Sequence, residues 1–236
     1  MGREAAFQAA LFLAAFLQTW YLDRMTSTVL PHVRCDFMSA PAPGSDGCLV
    51  HLCGDLTLID GVAPKAIGRA SAVLVNLLDT WSAGETVETV FRLDPGLAVF
   101  YSALFDTRTG ESPLFVELEG YRAACLLIIR RIELYPEYRG VGLGAAALEA
   151  MTAGYAQGGL VLLEARPLQE FAARDPLWSD RMGYSDGSAD LDAATERLVE
   201  YYSRLGFSEL QANTDGRRIL VLSANSQNQH KLKIKQ

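Results

Sequence analysis

The alternation of apolar and polar positions predicts a mixed fold of strands and helices from about residue 48 onward. The runs typical of strands are residues 48–59, 66–78, 114–118, 123–134, 160–165 and 218–223. Asp60 and Gly61 separate the first two runs, which predicts an antiparallel hairpin. The run at 160–165 is almost wholly apolar, as expected for a central strand that is buried on both faces.

Apolar residues at helical spacing predict helices in four other segments. These segments are residues 5–22, 96–105, 143–156 and 193–205. Gly158 and Gly159 should end the third helix, and Asp190 or Asp192 should cap the fourth. Residues 166–188 have no clear periodicity, and loops of this length inside a compact domain are usually functional or disordered.

These patterns divide the chain into three parts. Residues 1–46 hold an apolar helix and a linker, residues 47–225 form the main domain, and residues 226–236 are a polar tail. The uninterrupted apolar part of the first helix, residues 9–17, is too short to span a bilayer, and no signal-peptide cleavage pattern follows closely. We expect this helix to pack on the domain or to join two subunits in a homodimer. A cytoplasmic protein is therefore expected, with a membrane-held helix as the alternative.

Composition and charge exclude some classes of function. The 236 residues are 50% hydrophobic and 21% charged, as in ordinary globular proteins, and the formal net charge is −7. This excess of negative charge argues against a general nucleic-acid binder, which needs a basic face. The four cysteines do not suggest a disulfide framework, because a chain of this length can bury enough surface without one.

Cys48, His51 and Cys53 lie close together and suggest a zinc site. On a strand, however, Cys48 points to the opposite face from the other two, and structural zinc sites usually contain closely spaced cysteine pairs and four ligands. We therefore expect no metal site here and buried, reduced cysteines. Cys125, on an apolar strand, is expected to belong to the core rather than to act as a nucleophile.

The clearest chemical signal lies at the join between the long apolar strand and the alanine-rich helix after it. Gly140, Gly142 and Gly144 alternate there, and Arg139 precedes them. Glycines allow a tight turn and a close approach of backbone to ligand. The first N–H groups of the helix and the positive end of its dipole attract an anion. The join therefore predicts a phosphate or pyrophosphate site.

One kind of protein with such a join is the dinucleotide-binding fold. Its fingerprint, G-x-G-x-x-G/A, is satisfied by Gly140, Gly142 and Ala145, and Glu164 lies near the expected position of the ribose-binding acid. However, the polar residues 133–139 separate the strand from the glycines, and the remaining chain is too short for the further strand–helix units of that fold. A protein that binds NAD(P) is therefore the less favoured alternative.

The same segment resembles the main motif of the GNAT family of acyl-CoA N-acyltransferases. That motif is Arg or Gln, two residues, Gly, one residue, then Gly or Ala; here it is Arg139, Gly142 and Gly144 after the lead-in at residues 136–138. Residues 201–207, YYSRLGF, resemble the later motif of the family and follow the central strand and one helix, as in the family. The resemblance covers the main domain, but not the first 40 or so residues or the tail.

The resemblance implies a fold and a co-substrate. The fold is α/β (α+β mixed), with a mostly antiparallel twisted sheet flanked by helices and two central parallel strands that splay apart to admit a thioester. The co-substrate is acetyl-CoA, whose pyrophosphate would bind the glycine turn and whose pantetheine arm would pair with strand backbone. The residues implied in binding are Ile132, Leu134, Arg139, Gly140, Val141, Gly142, Leu143 and Gly144.

The implied reaction is N-acetyl transfer by direct attack of an acceptor amine on the thioester. Tyr202 matches the family tyrosine that donates to the leaving thiolate, and the reference pKa values of a phenol and a thiol differ by only about 1.5 units. Glu133 is the candidate base for the amine proton, and Glu164 has a weaker claim. Glu133 is otherwise a solvated charge or a partner of Arg130 or Arg131.

The sequence leaves the acceptor open between small-molecule and peptide amines. Net negative charge mildly favours a cationic amine. Residues 166–188 would rim the acceptor pocket; the charged and aromatic residues considered there are Asp175, Trp178, Asp180 and Arg181. Thr195 departs from the family, in which many members have Asn seven residues before the tyrosine. A non-catalytic acyl-CoA-binding sensor or assembly module is the alternative from another class.

Overall fold

The computed structural model describes residues 32–60, 63–106, 125–156, 158–170, 176–184, 190–210 and 217–223. The strands are β1 His32–Pro41, β2 Leu49–Ile59, β3 Lys65–Asn76, β4 Cys125–Leu134, β5 Leu160–Glu164, β6 Ser208–Glu209 and β7 Ile219–Ser223. The helices are α1 Leu77–Ser82, α2 Val87–Arg92, α3 Ala98–Leu104, α4 Leu143–Tyr155, α5 Pro176–Arg181 and α6 Leu191–Arg204. Short 3₁₀ turns lie at Pro95–Leu97 and Pro136–Tyr138.

The described strands form one sheet in the order β1-β2-β3-β4-β5-β7-β6. Strands β4 and β5 are parallel, and every other neighbouring pair is antiparallel. This arrangement confirms the predicted mixed α/β class and the mostly antiparallel sheet. A doubly wound dinucleotide fold has a mostly parallel sheet, so the described sheet does not have that architecture.

The sheet begins earlier in the chain than the sequence pattern indicated. Residues 1–46 were expected to hold an apolar helix and a linker, but β1 lies within them and pairs along its whole length with β2, from His32 opposite Ile59 to Pro41 opposite Val50. The pattern missed β1 because it is an edge strand in which Val33 is the one fully buried residue. The predicted hairpin of β2 and β3 is confirmed.

Helices α3, α4 and α6 lie where the pattern placed them, α5 lies in the stretch without clear periodicity, and two further helices, α1 and α2, were not predicted. Asn76 and Thr86 cap these two short helices by accepting hydrogen bonds from Asp79 and Thr89 backbone N–H groups. The first two residues of α1, Leu77 and Leu78, belonged to the run at 66–78 that was predicted as a strand, so that strand ends two residues earlier than expected. The rest of the two helices showed no clear period, because one or two turns are too short to establish one. Asp190, one of the two predicted caps, accepts from the Ala193 N–H at the start of α6. The predicted helix at 5–22, the strand at 114–118 and the tail lie outside the described residues.

Helices cover both faces of the sheet. The front face, as we name it, packs under α4 and α6, and the back face packs under α1, α2 and α3. The central strands send alternate residues to the two cores, as strand geometry requires. The residues on the front are Leu127, Ile129, Val161 and Leu163, and those on the back are Leu126, Ile128, Leu160 and Leu162. No helix in the described ranges is long and apolar enough to cross a bilayer.

The two central strands separate halfway along β4. Their parallel pairing runs from Leu126 opposite Leu160 to Ile129 opposite Leu163, whereas β4 itself continues to Leu134. At the next residue, Arg130, the pairing of β4 with β3 has a bulge. A bulge bends a strand and increases its local twist. The end of β4 therefore has β3 on one side and a gap on the other.

The close approach of β3 to β4 predicts a steric effect at Gly68. A Cβ on Gly68 would lie 2.0 Å from the carbonyl oxygen of Glu133, which is backbone and cannot move aside. We expect Gly68→Ala to destabilise the fold by about 2 kcal/mol or more, measured by thermal unfolding. In the matched control, Gly154→Ala, the new methyl on α4 meets nothing within 4 Å and should stabilise by up to about 1 kcal/mol. Equal melting temperatures for the two variants would contradict the register of β3 and β4.

Candidate functional site

The glycine turn leaves the start of α4 without a side-chain cap. Gly140 and Gly142 have φ angles of +74° and +87°, a left-handed conformation that strains other residues. Gly142 is the N-cap of α4 and makes no side-chain capping bond. The first N–H groups of a helix have no intrahelical acceptors. They therefore form a polar, positively polarised surface suited to an anion.

Arg139 holds this turn against the end of β4. Its Nε donates to the Leu134 carbonyl at 2.9 Å, and Nη2 donates to the Met182 carbonyl at 2.6 Å. The guanidinium also lies 5.2 Å from the ring centre of Tyr184. Arg139 therefore braces the turn, and its positive charge stays beside it.

The end of β4 presents unpaired backbone groups to the gap. The Tyr135 N–H donates to the Ile67 carbonyl on β3, so alternate residues before it also direct their backbone groups towards β3. Ile132 and Leu134 therefore direct theirs to the opposite side, where pairing with β5 has ended. The Leu134 carbonyl accepts a hydrogen bond from Arg139. Among the described residues, the Ile132 backbone groups and the Leu134 N–H have no strand partner on this side, so they form an open strand edge to which an extended ligand can pair.

A cavity of about 570 Å³ lies at this gap. It brings together six of the predicted binding residues, namely Ile132, Leu134, Arg139, Gly140, Gly142 and Gly144. Val141 and Leu143 do not line it: the first is 69% exposed and the second packs on the front core. Their predicted contribution is through backbone N–H groups, which does not require their side chains to face the cavity.

Tyr202 on α6 lines the same cavity. Its ring packs against Phe207 and Tyr201, at centroid distances of 5.7 and 5.2 Å. Burial, followed by the neighbouring Tyr201, raises the pKa of Tyr202 to about 12. The hydroxyl is therefore protonated at neutral pH and able to donate a hydrogen bond.

Tyr201 is a cavity residue that sequence reasoning did not single out. Its hydroxyl would lie 3.5 Å from a Cβ on Gly144, so it reaches the glycine turn itself. The paired aromatics of the later motif were the available signal, but only the second of them was assigned a role. The structure places both hydroxyl-bearing rings at the cavity.

Glu133 is buried and fully engaged. Its side chain is 3% exposed, one oxygen lies 2.5 Å from Arg69 Nε, and the other accepts from Trp178 Nε1 at 3.2 Å. The Arg69 guanidinium stacks 3.5 Å over the Trp178 ring. The partner is therefore Arg69, not Arg130 or Arg131 as the sequence suggested. Glu133 lies on the back face and does not line the cavity, whereas Glu164 does.

Arg130 is fixed at the bulge by an aspartate from the back face. Its Nη2 lies 2.5 Å from Asp94 Oδ2, and the other Asp94 oxygen accepts from the Gly96 N–H at 2.8 Å. Burial alone would raise the pKa of Asp94, but the hydrogen bonds from Arg130 and Gly96 and the nearby His51 hold it below its usual range. This network ties the bulge in β4 to the 3₁₀ turn at Pro95–Leu97.

The residues of the zinc hypothesis do not converge. Cys48 is buried, Cys53 is exposed, and His51 Nε2 lies 3.7 Å from Asp94. Exposure of Cys53 departs from the expectation of buried cysteines. In the described ranges, no three His, Cys, Asp or Glu side chains are grouped so that they could hold a metal ion.

Tyr184 is the residue that the sequence gave least reason to expect. It follows α5, inside the stretch at 166–188 where no period was visible, and it lines the cavity. The residue is 5% exposed, and its hydroxyl has no hydrogen-bond partner in the described part of the chain. Burial raises the pKa of Tyr184 to about 12, with the charge of Glu133 acting in the same direction.

Three other residues considered in the sequence, Thr195, Trp178 and Arg181, make contacts within the domain. The Thr195 hydroxyl donates to the Leu191 carbonyl within α6 at 2.9 Å. Trp178 and Arg181 on α5 pack around Tyr135, with the Arg181 guanidinium 4.4 Å from the Tyr135 ring centre. Asp175 lies outside the described residues.

Comparison of the sequence with protein-family models gave no match, and neither did a search of curated proteins. The family resemblance therefore rests on the motifs, and the assignment of function rests on the geometry of this cavity.

The raised pKa values of two tyrosines, Tyr184 and Tyr202, predict a loss of stability at alkaline pH. An ordinary tyrosine ionises near pH 10.0, whereas Tyr184 and Tyr202 have folded-state pKa values of about 12. Between these pH values the unfolded chain has lost phenol protons that the folded chain keeps, so stability falls as pH rises, by at most about 1.4 kcal/mol per pH unit per group. Tyr202→Phe should make the decrease in melting temperature between pH 9.5 and 11 shallower than in the parent. An unchanged decrease, after correction for the difference at pH 7, would contradict the burial of this hydroxyl.

Proposed function

We propose that this protein is an acetyl-CoA-dependent N-acetyltransferase of the GNAT kind. The observation that carries the proposal is the gap between β4 and β5, where one cavity meets an uncapped helix start, an open strand edge and the Tyr202 hydroxyl. Each of these features suits a different part of acetyl-CoA. The helix start would bind the pyrophosphate, and the strand edge would pair with the amides of the pantetheine arm. The Tyr202 hydroxyl would donate a hydrogen bond to the thioester.

The residues of the turn are suited to hold the pyrophosphate. The N–H groups at the start of α4 have no side-chain acceptor, and Gly140, Gly142 and Gly144 leave them accessible. The free backbone groups of Ile132 and the Leu134 N–H can then pair with the amides of the pantetheine arm. The cavity volume, about 570 Å³, lies within the usual range for small-molecule sites.

Acetyl-CoA supplies a thioester, so transfer to an amine forms a C–N bond, breaks the C–S bond and leaves a thiolate that takes up the proton lost by nitrogen. Tyr202 supports this step by donating a hydrogen bond at the position of the developing thiolate. Its pKa of about 12 lies well above the value of about 8.5 for a thiol, so it retains its own proton. We therefore assign to Tyr202 the role of a hydrogen-bond donor to the thiolate. The proton that protonates the sulfur comes through solvent.

We assign to Glu164 the role of the base that accepts the proton of the acceptor amine. It lines the cavity and, one residue after Leu163, lies on the back face of β5. Its nearest described ion-pair contact is loose, 3.9 Å to Arg217 Nε. Glu133 instead holds Arg69 and the start of α5, because both its oxygens accept hydrogen bonds. This assignment places the acceptor amine on the back face and acetyl-CoA on the front.

One observation favours a binding module without turnover. The expected base, Glu133, is engaged, and the Thr195 hydroxyl bonds within its own helix. A protein of that kind would bind acetyl-CoA without releasing thiol. A thiol-release screen over polyamines, aminoglycosides, amino acids and peptides separates the two functions, since binding by calorimetry with no thiol release over the whole panel supports the module.

Binding of acetyl-CoA should depend on the left-handed conformation of Gly142. In Gly142→Ala the positive φ costs about 1–2 kcal/mol, so the turn should rearrange and redirect its N–H groups. We expect the Kd for acetyl-CoA, measured by calorimetry, to rise about tenfold. Val141→Ala is the control, because that side chain points to solvent and only its backbone is implicated. Equal affinities of both variants and the parent would contradict the anion site.

Turnover should depend on the Tyr202 hydroxyl. Tyr202→Phe removes the donor and should lower kcat for thiol release about 100-fold, with the Kd for acetyl-CoA unchanged. Tyr201→Phe is the informative comparison, because the adjacent phenol lies at the same cavity but does not match the family tyrosine. A large loss of kcat in Tyr201→Phe, with Tyr202→Phe near parent activity, would assign the donor role to Tyr201.

A further inference from the structure

The cavity carries positive charge although the protein as a whole is acidic. The formal net charge of the chain is −7, whereas Glu164 is the one carboxylate among the described lining residues. The arginines in the lining are Arg130, Arg131, Arg139, Arg166 and Arg197. These arginines differ in whether their charge is already used by the fold.

Four of the lining arginines interact within the protein. Arg130 and Arg166 each form an ion pair with a carboxylate. Arg139 donates to two backbone carbonyls, and Arg131 is also engaged. The guanidinium groups of these four residues therefore help to hold the fold around the opening.

Arg197, on α6, is different. Its side chain is exposed at the cavity and makes no hydrogen bond or ion pair with any other residue in the described ranges. The two glutamates nearest to it on the helix, Glu196 and Glu200, pair with other arginines instead. No carboxylate of the described chain therefore neutralises the Arg197 guanidinium, which is available to a ligand.

The position of Arg197 follows from its neighbours on α6. The Tyr201 hydroxyl lies beside the glycine turn, because a Cβ on Gly144 would be 3.5 Å from it. Residues four apart lie on one helix face, and Arg197 and Tyr201 both line the cavity. Arg197 therefore lies about 6 Å along the helix axis from Tyr201, in the direction that leads away from Tyr202.

This order of residues matches the order of groups in acetyl-CoA. In the proposed complex the thioester lies at Tyr202, and the pyrophosphate lies at the glycine turn beside Tyr201. The third phosphate of CoA, a monoester at the ribose 3′ position, follows the pyrophosphate and lies further from the thioester. A phosphate monoester carries a charge of about −1.5 to −2 at neutral pH and three acceptor oxygens, which a guanidinium can bind through two parallel hydrogen bonds.

We propose that Arg197 binds the ribose 3′-phosphate of the acyl donor, so that the protein selects CoA thioesters over donors that lack this group. The inference rests on the proposed acetyl transfer and names the class of donor. Donors without the group are dephospho-CoA thioesters and the phosphopantetheine arm of a carrier protein. The pyrophosphate is the weaker candidate for Arg197, because the turn already supplies it with N–H groups and the Arg139 charge.

The test changes the ligand and the arginine in one cycle. Calorimetry gives the Kd values of acetyl-CoA and acetyl-dephospho-CoA for the parent and for Arg197→Gln. We expect the parent to bind acetyl-CoA about tenfold more tightly than the dephospho compound, and Arg197→Gln to bind the two within about twofold of each other. An equal loss of affinity for both donors in Arg197→Gln would overturn the assignment, because Arg197 would then act on a part that both donors share.

Two further variants separate this contact from a general effect of charge. Arg197→Lys keeps the charge but loses the paired donors, so it should keep a preference of about threefold for acetyl-CoA. Arg92→Gln makes the same change in net charge on α2, where the side chain is 78% exposed and pairs with Glu88, and it should keep the full preference of the parent. A preference lost as fully in Arg92→Gln as in Arg197→Gln would overturn the local contact.

Thiol release separates failure of this inference from failure of acetyl transfer. If the amine panel releases thiol with equal kcat/KM from both donors, acetyl transfer stands and the 3′-phosphate site is wrong. If no amine releases thiol but the preference that depends on Arg197 is measured, the 3′-phosphate site stands and acetyl transfer is wrong. Absence of binding by either donor would overturn both.

Adenosine 3′,5′-bisphosphate tests the site without a thioester. It should raise the melting temperature of the parent more than 5′-AMP does, because it carries the additional phosphate. In Arg197→Gln the two nucleotides should give equal shifts. An equal effect of both nucleotides on the parent would contradict recognition of the 3′-phosphate.

Discussion

Backbone pairing between β4 and β5 ends at Ile129 and Leu163, and this limit organises the rest of the molecule. Parallel strands in a sheet centre normally continue side by side, because an unpaired N–H or C=O in a buried place is costly. Here the bulge at Arg130 turns β4 away, and Arg130 is held there by a buried aspartate. The unpaired groups face a cavity in place of a strand, so they are available to a ligand that can supply the missing partners.

Arginines act as the structural braces around this opening. Arg139 joins the glycine turn to the end of β4 and to Met182, and Arg69 holds Glu133 while stacking on Trp178. A guanidinium suits this work because it remains charged, donates in several directions and stacks on aromatic rings. The same contacts position α5 and the segment that carries Tyr184. The arginines that brace the fold therefore also give the cavity its positive charge.

The sequence was sufficient to predict those elements whose signal lies in neighbouring residues. The strand β4, the turn at Gly140 and Gly142 and the helix α4 could be predicted because each follows from residues next to one another. Tyr202, which lines the cavity, belongs to a short motif that is visible in the sequence. The edge strand β1 could not be predicted, because most of its side chains are exposed, and Tyr184 lies where no periodicity exists.

Long-range pairing explains why the sequence did not show which carboxylate lies at the cavity. Glu133 and Arg69 lie on neighbouring strands but far apart in the sequence, so the ion pair that removes Glu133 from the cavity leaves no trace in the local pattern. Glu164, at the end of β5, faces the gap because its strand stops pairing with β4 one residue earlier. Which of these two carboxylates faces the cavity is therefore set by the strand register. The same reasoning applies to charge, because the register gathers arginines from separate elements at one opening, which the net charge of the chain does not reveal.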